Sequence, residues 1–407
     1  MTVDEARGLD RADPLRQLRH RFQLPPGIVY LDGNSLGALP VAIGGRLRQV
    51  VRDQWGPDLI SSWNKHQWID WPARVAARLA PIVGAKPDEL LIADSTSVSL
   101  FKLLAAAARA RPGRRTILTQ QGNFPTDLYV AQGLCEMLGM ELKALPAAEL
   151  ERAIGEDTAL LTLTHVDYRS AAILDMAGLN AAAHAAGALT VWDLSHSAGA
   201  IQLDLDGAGC DLAVGCGYKY LNGGPGAPAF IYVAEGLQAL LRPPLQGWMG
   251  HAEPFAFDDD YRPATGIARF LTGTPSILAL AALDAGLATF DGIAMRDLEA
   301  KSRALSQLFV EEVEARCGEE VRLASPRDAA SRGSHVAFAH PEGYAVMQAL
   351  IARGVIGDFR APDLMRFGFA PLYNCYAEVA RAAEILGDIL KSQTWDQPRF
   401  RERAKVT

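Results

Sequence analysis

From about residue 72 onward, apolar positions along the chain switch repeatedly between two spacings. ARVAARLAPIVG is apolar at helical spacing and predicts an amphipathic helix. ELLIAD (89–94) is a short apolar run that predicts a buried strand, and SVSLFKLLAAAARA, entered through Ser and Thr, predicts a strong helix. RRTILT (114–119) predicts a strand and PTDLYVAQGLCEMLG a helix starting on Pro125. MELKAL, TALLTLTHV (158–166), ALTVWD (188–193), DLAVGC and APAFIYV predict further strands, with MAGLNAAAHAAG a helix ending on Gly187. Such alternation predicts a mostly parallel sheet covered on both faces, with ligands at the C-terminal ends of the strands.

After about residue 275 the pattern changes. PSILALAALDAGLATF and residues 294–316 predict two long helices, and SHVAFAH and MRFGFAPL predict short strands around the helix EGYAVMQALIARG. The expected organisation is a large α/β domain over 46–284, a smaller α+β domain over 285–407, and a cleft at their junction. Residues 1–45 contain LPPGIVYLDGNSLGALP, with three Pro and three Gly, and predict an irregular arm. Gln54 to Trp71 holds four of the seven Trp.

Composition narrows the class. A chain of 407 residues exceeds a single hydrophobic core and implies two or three domains. The net charge of -7, with no dense Lys/Arg stripe, argues against a nucleic-acid partner. No run of about 18 uncharged apolar residues is present, so no membrane span is expected. The opening MTVDEARGLDRADPLRQL lacks an apolar h-region, which predicts no secretory signal. Cys135, Cys210, Cys216, Cys317 and Cys375 form no CxxC pair and no zinc spacing, so no metal site is expected. An odd, sparse cysteine set fits a reducing cytoplasm.

Four features carry chemistry. Lys219 lies in CGYKYLNGGPG, among apolar and aromatic residues just after an expected buried strand. Burial penalises an ammonium and favours the neutral amine that Schiff-base formation needs. A surface lysine snorkelling over aromatic neighbours is the ordinary alternative, and the lysine alone does not choose. Asp193 ends the strand ALTVWD, where a carboxylate faces the ligand edge of the sheet. Pyridoxal 5'-phosphate (PLP) enzymes pair the pyridine nitrogen with such a group, although helix capping explains the position equally well. Asp94-Ser95-Thr96-Ser97 joins a strand to a helix and offers backbone N–H groups, hydroxyls and a positive dipole end to a phosphate. Phe124, in GNFPTD, stands where a ring stacks on a flat cofactor. Each feature is weak singly; together, in this order on an α/β chain, they predict a PLP enzyme with its cofactor on Lys219.

The segments YLDGNSLG (30–37), STSVSLFKLL (95–104), NFPTD (123–127), WDLSHSAGA (192–200), GCGYKYLNGGPG (215–226), GWMGH (247–251), GIARFLTGTPSI (266–277) and FAPLYN (369–374) closely resemble the kynureninase family. The resemblance runs from Tyr30 to about Asn374. It implies the PLP-dependent transferase fold type I, with a mostly parallel seven-stranded sheet in the large domain. It implies hydrolytic Cβ–Cγ cleavage of L-kynurenine to anthranilate and L-alanine, within tryptophan degradation and NAD biosynthesis. Roles follow by position. Lys219 forms the Schiff base, Asp193 binds the pyridine nitrogen, His196 supports that end of the ring, and Phe124 stacks on it. Thr96, Ser97 and Tyr218 bind the phosphate, with Trp248 and Thr274 completing the site from the second subunit of a homodimer. Asp127 and Thr164 match cofactor-contacting positions. Arg366 holds the substrate α-carboxylate through a bidentate fork. Asn34, Trp63 and His66 match substrate-contacting positions, the last two beside the aryl group. Tyr218 is also the candidate acid–base group. The small pair Gly273-Thr274, where a bulkier Ser-Asn goes with 3-hydroxykynurenine, implies a preference for unsubstituted kynurenine.

Three other readings compete. A cysteine desulfurase needs a reactive cysteine in the C-terminal part, where only Cys317 and Cys375 occur. An aminotransferase does not account for GWMGH and FAPLYN. A non-catalytic PLP-binding protein requires loss of the lysine or a carboxylate anchor, yet Lys219, Asp193 and Arg366 are all present.

Overall fold

The computed structural model describes residues 1–403. Its centre is a seven-stranded sheet: β1 Leu90–Ile92, β2 Thr116–Gln120, β3 Glu141–Leu145, β4 Thr158–Thr164, β5 Leu189–Asp193, β6 Leu212–Gly215 and β7 Phe230–Val233. The spatial order is β1-β7-β6-β5-β4-β2-β3. Only β7 runs against its neighbours; the β6-β5-β4-β2-β3 pairings are all parallel. Alternate residues on each strand enter different cores. Val191, Val214 and Ile231 pack on one face, and Trp192, Ala213 and Phe230 on the other. A parallel strand covered on both faces buries every position, as in β4, β5 and β6, where only threonines and the terminal Asp193 interrupt the apolar residues.

Helices α1 Trp71–Val83, α2 Thr96–Arg109, α3 Pro125–Leu138 and α4 Met176–Ala185 cover the sheet. Their ends obey local chemistry. Ser95 caps α2 by accepting from the Val98 N–H, and α3 opens on Pro125, whose missing N–H costs nothing there. Gly187, at φ +74°, carries the chain out of α4 as expected.

The C-terminal part adds a four-stranded antiparallel sheet, β8 Arg322–Leu323, β9 His335–Ala339, β10 Asp358–Arg360 and β11 Leu364–Gly368, in the order β8-β9-β11-β10. Helices α5 Ile277–Leu287, α6 Met295–Cys317, α7 Gly343–Ala352 and α8 Tyr376–Ser392 accompany it. Leu280, Leu287 and Leu298 belong to the core of the large sheet, whereas Leu305, Phe309, Phe338, Phe367 and Leu386 form a second core.

Residues 1–45 depart from the irregular arm expected of them. Val3–Ala12 is a helix closed by a Thr2/Glu5 capping box. Asp10, on that helix, accepts hydrogen bonds from the Tyr376 and Ala377 N–H groups at 2.7 and 3.1 Å, and so caps α8 from outside. Val29–Tyr30 pairs in parallel with Val355–Ile356, and Val29 and Leu31 enter the second core. Among the described residues no single helix is long and apolar enough to cross a membrane. No group of three or more His, Cys, Asp or Glu side chains is placed to hold a metal there either.

Candidate active site

The C-terminal ends of β4 and β5 are in register, so Thr164 lies opposite Asp193. Beyond β5 the chain turns sharply because Asp193 Oδ1 accepts the Ser195 N–H at 2.7 Å. That turn delivers His196. The loop after β6 delivers Tyr218 and Lys219, the start of α2 delivers Thr96 and Ser97, and the start of α3 delivers Phe124 and Asp127. These nine residues line one cavity, joined by Thr126, Tyr168 and Ser195. Lys219 is half-buried and opens on the cavity, so the burial expected of it from the sequence is partial. Its Nζ lies 2.9 Å from His196 Nε2, 5.9 Å from the Phe124 ring centroid and 6.0 Å from that of Tyr218.

The electrostatics favour a bound cation beside two carboxyls. Burial, and then the charge of Asp193, push the Asp127 carboxyl well above the ordinary carboxylate range, while Thr164 Oγ1 donates to it at 3.1 Å. Burial and the Lys219 charge push the His196 imidazole well below its usual range, so it is neutral at pH 7. With Nε2 towards Lys219, His196 Nδ1 is buried without a partner and its ring lies 5.2 Å from that of His335. Burial also pushes the Tyr218 phenol upward, followed by the charges of Cys216 and Asp193, so the hydroxyl keeps its proton.

Arg366, on β11, is 1% exposed and is not a surface strand residue. Register places Asp358 of β10 directly opposite. Arg366 Nε donates to Asp358 Oδ1 at 2.7 Å, and Nη2 donates to Oδ2. Nη1 donates to the Tyr168 carbonyl, and Nη2 lies 3.3 Å from Ser35 Oγ. Burial alone would raise the Asp358 carboxyl, but the hydrogen bonds and charge of Arg366 hold it down to about 2. Nearby Asp32 is pushed up to about 7, by burial first and then by the charge of Asp358. Arg366 itself does not line the Lys219 cavity. It stands behind Tyr168, whose ring meets Phe124 edge-on at 5.2 Å. Asn34 is 1% exposed over Gly368, and both polar atoms of its amide lack partners.

Sequence comparison places this geometry in a lineage. The family model described as "Kynureninase C-terminal domain" matches residues 298–386. Kynureninase from Pseudomonas fluorescens is 50% identical over 414 residues, covering 100% of both chains. Kynureninase from Burkholderia mallei (strain SAVP1) matches at the same identity and coverage. The chain belongs to the kynureninase family. Solved structures with the same fold include a cysteine desulfurase from Thermococcus onnurineus NA1, with a TM-score of 0.79 at 21% identity over 92% of this chain and 98% of that one. A C-DES mutant with glycine covalently linked to its PLP cofactor gives 0.78 at 19% identity, over 91% and 99%. At such identities the likeness concerns the fold alone, which is the expected PLP-dependent fold type I.

Kynureninase-like rather than desulfurase-like chemistry also suits the thiols. Cys317 is buried and pushed up to about 11, and Cys375 at the start of α8 is pushed up to about 12, in each case mainly by burial. Neither supplies a ready thiolate.

Besides Arg366 and Asn34, four more residues expected at the site from the sequence do not reach the Lys219 cavity of their own chain. Trp248 is 43% exposed and packs edge-on against Phe255. Thr274 lines a neighbouring cleft of about 660 Å³ that it shares with Thr96 and Tyr218. His66 is engaged by Asp58 at 2.7 Å, and Trp63 packs edge-on against Trp68 at 5.9 Å. Conversely, Asp358, Ser35, Tyr168 and His335 belong to the site's surroundings and were not marked. Asp358 carried a signal, since an acid and an arginine flank a Pro-containing turn in DFRAPDLMRF. Tyr168 acts through its carbonyl, and no side-chain pattern points to that.

Proposed function

We propose that this chain is a PLP-dependent kynureninase that hydrolyses the Cβ–Cγ bond of L-kynurenine to anthranilate and L-alanine, with 3-hydroxykynurenine the poorer substrate. One observation carries the reading: a lysine amine, an aspartate at the end of β5 and the hydroxyl-rich start of α2 converge on a single cavity, in a chain 50% identical to kynureninases over its full length.

The residues fit the cofactor. Asp127 beside Asp193 is a buried carboxyl pair that a protonated pyridine nitrogen neutralises, and the unpartnered His196 Nδ1 leaves that imidazole free to adjust to a ring substituent. Asp193 takes the pyridine nitrogen, Thr96 and Ser97 take the phosphate at the start of α2, and Phe124 covers the ring. When bound, PLP supplies an electron sink conjugated with the substrate nitrogen.

The chain does the rest. Lys219 Nζ, held at 2.9 Å by His196, moves the proton at substrate Cα. Arg366, pre-aimed by Asp358, takes the α-carboxylate in exchange for the Tyr168 carbonyl and Ser35 hydroxyl that its Nη atoms meet. Asn34, with its unpaired amide, lies beside the same strand and assists it. Tyr218 Oη, kept protonated by burial, donates to the oxygen that gains charge as water adds to the γ-carbonyl. Trp248 and Thr274 serve the site of a second copy, which their position outside their own Lys219 cavity supports. Trp63 and His66 are assigned to the aryl pocket on the family resemblance, and the enzyme is assigned to the cytoplasm.

The purified protein should be yellow, release fluorescent anthranilate from kynurenine, and after borohydride reduction carry the pyridoxyl mass on Lys219. A colourless protein, or a label on another lysine, rejects the cofactor assignment. A yellow protein that releases no anthranilate rejects the reaction.

A further inference from the structure

Lys102 is a charged residue with no solvent exposure. It lies on α2, two turns beyond the hydroxyl-rich start of that helix. A buried ammonium persists only when its donors are all satisfied. Here the three N–H bonds find three acceptors: Asp94 Oδ2 at 2.5 Å, the Phe270 carbonyl at 2.5 Å and Thr272 Oγ1 at 3.2 Å. The partners come from two separate segments. Asp94 has the left-handed φ of +53° at the turn into α2, a conformation that costs energy for a residue with a side chain and persists only when something holds it. Phe270 and Thr272 immediately precede Gly273-Thr274. Asp94, Thr96, Thr272 and Thr274 also share the walls of the 660 Å³ cleft.

We propose that Lys102 is a positioning residue that bolts the phosphate turn, Asp94–Ser97, to the segment carrying Gly273-Thr274, so that loading of the cofactor's phosphate end in one copy and placement of the pair that serves the second copy's site are one coupled event. This rests on the reading above, in which the first segment holds the phosphate of its own site and the second, through Thr274, serves the site of a second copy. The physical reason is shared charge. An anion arriving at the start of α2 is disfavoured by a free Asp94 carboxylate, and Lys102 neutralises that carboxylate only while it also holds Phe270 and Thr272 in place. A segment held in this way keeps a tight wall against a 3-hydroxyl group; a released one discriminates less.

The test uses the full-length chain. Amide hydrogen exchange is followed on the apo form as inorganic phosphate, and separately PLP, is added. Protection should grow at residues 270–276 in step with 95–98 in the wild type, and the gain at 270–276 should shrink in Thr272→Val, which loses one Lys102 acceptor. Protection at 95–98 alone, or an equal gain at 270–276 in Thr272→Val, overturns the proposal, and this measurement does not depend on turnover. In Lys102→Met, PLP should bind about tenfold more weakly. The ratio of kcat/KM for kynurenine over 3-hydroxykynurenine should fall on the order of threefold. That ratio is independent of how much enzyme is folded, so an unchanged ratio means that Lys102 is structural only. If Lys102→Met does not fold, Thr272→Val, which removes one acceptor, should lower the ratio in the same direction by less, and an unchanged ratio there overturns the proposal. A wild-type protein without anthranilate release rejects the kynureninase reading, while the exchange experiment still decides the tether.

Discussion

The Arg366–Asp358 pair makes a quantitative claim. Both side chains are 2% exposed, so the pair is nearly dry. Breaking such a pair from one side leaves an uncompensated buried charge, which costs about 3–5 kcal/mol. The two sides are not equivalent here. Asp358→Ala leaves two guanidiniums, Arg366 and Arg360, beside a single remaining acid, Asp32. Arg366→Met leaves Asp358 still paired with Arg360 at 2.8 Å and accepting from Ser35 at 2.7 Å. Asp358→Ala should therefore cost the full 3–5 kcal/mol and Arg366→Met about 1–3 kcal/mol. The double variant removes both charges and should be less destabilised than the sum by about 2 kcal/mol or more. The assay is urea unfolding of the apo form at pH 7, read as midpoint shifts at a common slope. Wild type adds a pH signature. The Asp358 carboxyl falls from 3.8 to about 2, worth roughly 2–3 kcal/mol. Because the folded value is depressed, that stability is present above about pH 4 and lost as pH falls towards 2. Additivity within about 0.5 kcal/mol, or an Asp358→Ala variant as stable as wild type, would refute the claim that this pair organises the strand.

Three further outcomes follow from the site. Asp32 is raised to about 7, so its charged form penalises folding increasingly as pH rises from 4 to 7. Asp32→Asn should match wild type at pH 4 and exceed it at pH 8 by on the order of 2–4 kcal/mol; parallel stability curves would contradict this. Tyr218→Phe should keep the yellow cofactor band and lower kcat on the order of a hundredfold, and unchanged turnover would remove Tyr218 from the proton transfers. Mixed and refolded Lys219→Ala and Trp248→Ala chains, each inactive alone, should recover about a quarter of wild-type activity if Trp248 serves the second copy. No recovery, with hybrid dimers demonstrated, would place Trp248 in its own site.

Much of the architecture was legible because it rests on local rules. The Leu-, Val- and Ala-rich segments became β4, β5 and β6, and the Ser95 cap, Pro125 and Gly187 set helix ends at the expected places. The Thr2/Glu5 capping box is equally local, but the Pro- and Gly-rich stretch that follows it dominates the pattern of residues 1–45. For the site, residues at the ends of adjacent strands and helices were readable as a set. Asp193 ends a β-strand, Lys219 follows one, and Thr96 and Phe124 stand at helix starts, all on one edge of the sheet; Thr164 came only through the family resemblance.

What the sequence determined alone was therefore the class of chemistry, read from a lysine, an acid and a hydroxyl-rich helix start on one edge of an α/β sheet. Period-two and helical patterns are set by neighbours a few residues apart, so they survive without tertiary information. Tertiary structure decided the rest. It buried Arg366 and filled its fork with Asp358, Ser35 and the Tyr168 carbonyl, the last two 331 and 198 residues away. It set Asp127 against Asp193, turned Trp248 outward, and gave Lys102 acceptors 168 and 170 residues along the chain. These contacts depend on how whole elements pack, and burial then converts proximity into shifted proton affinity and fixed orientation. Neither can be read from residues that are distant in sequence until the fold brings them together.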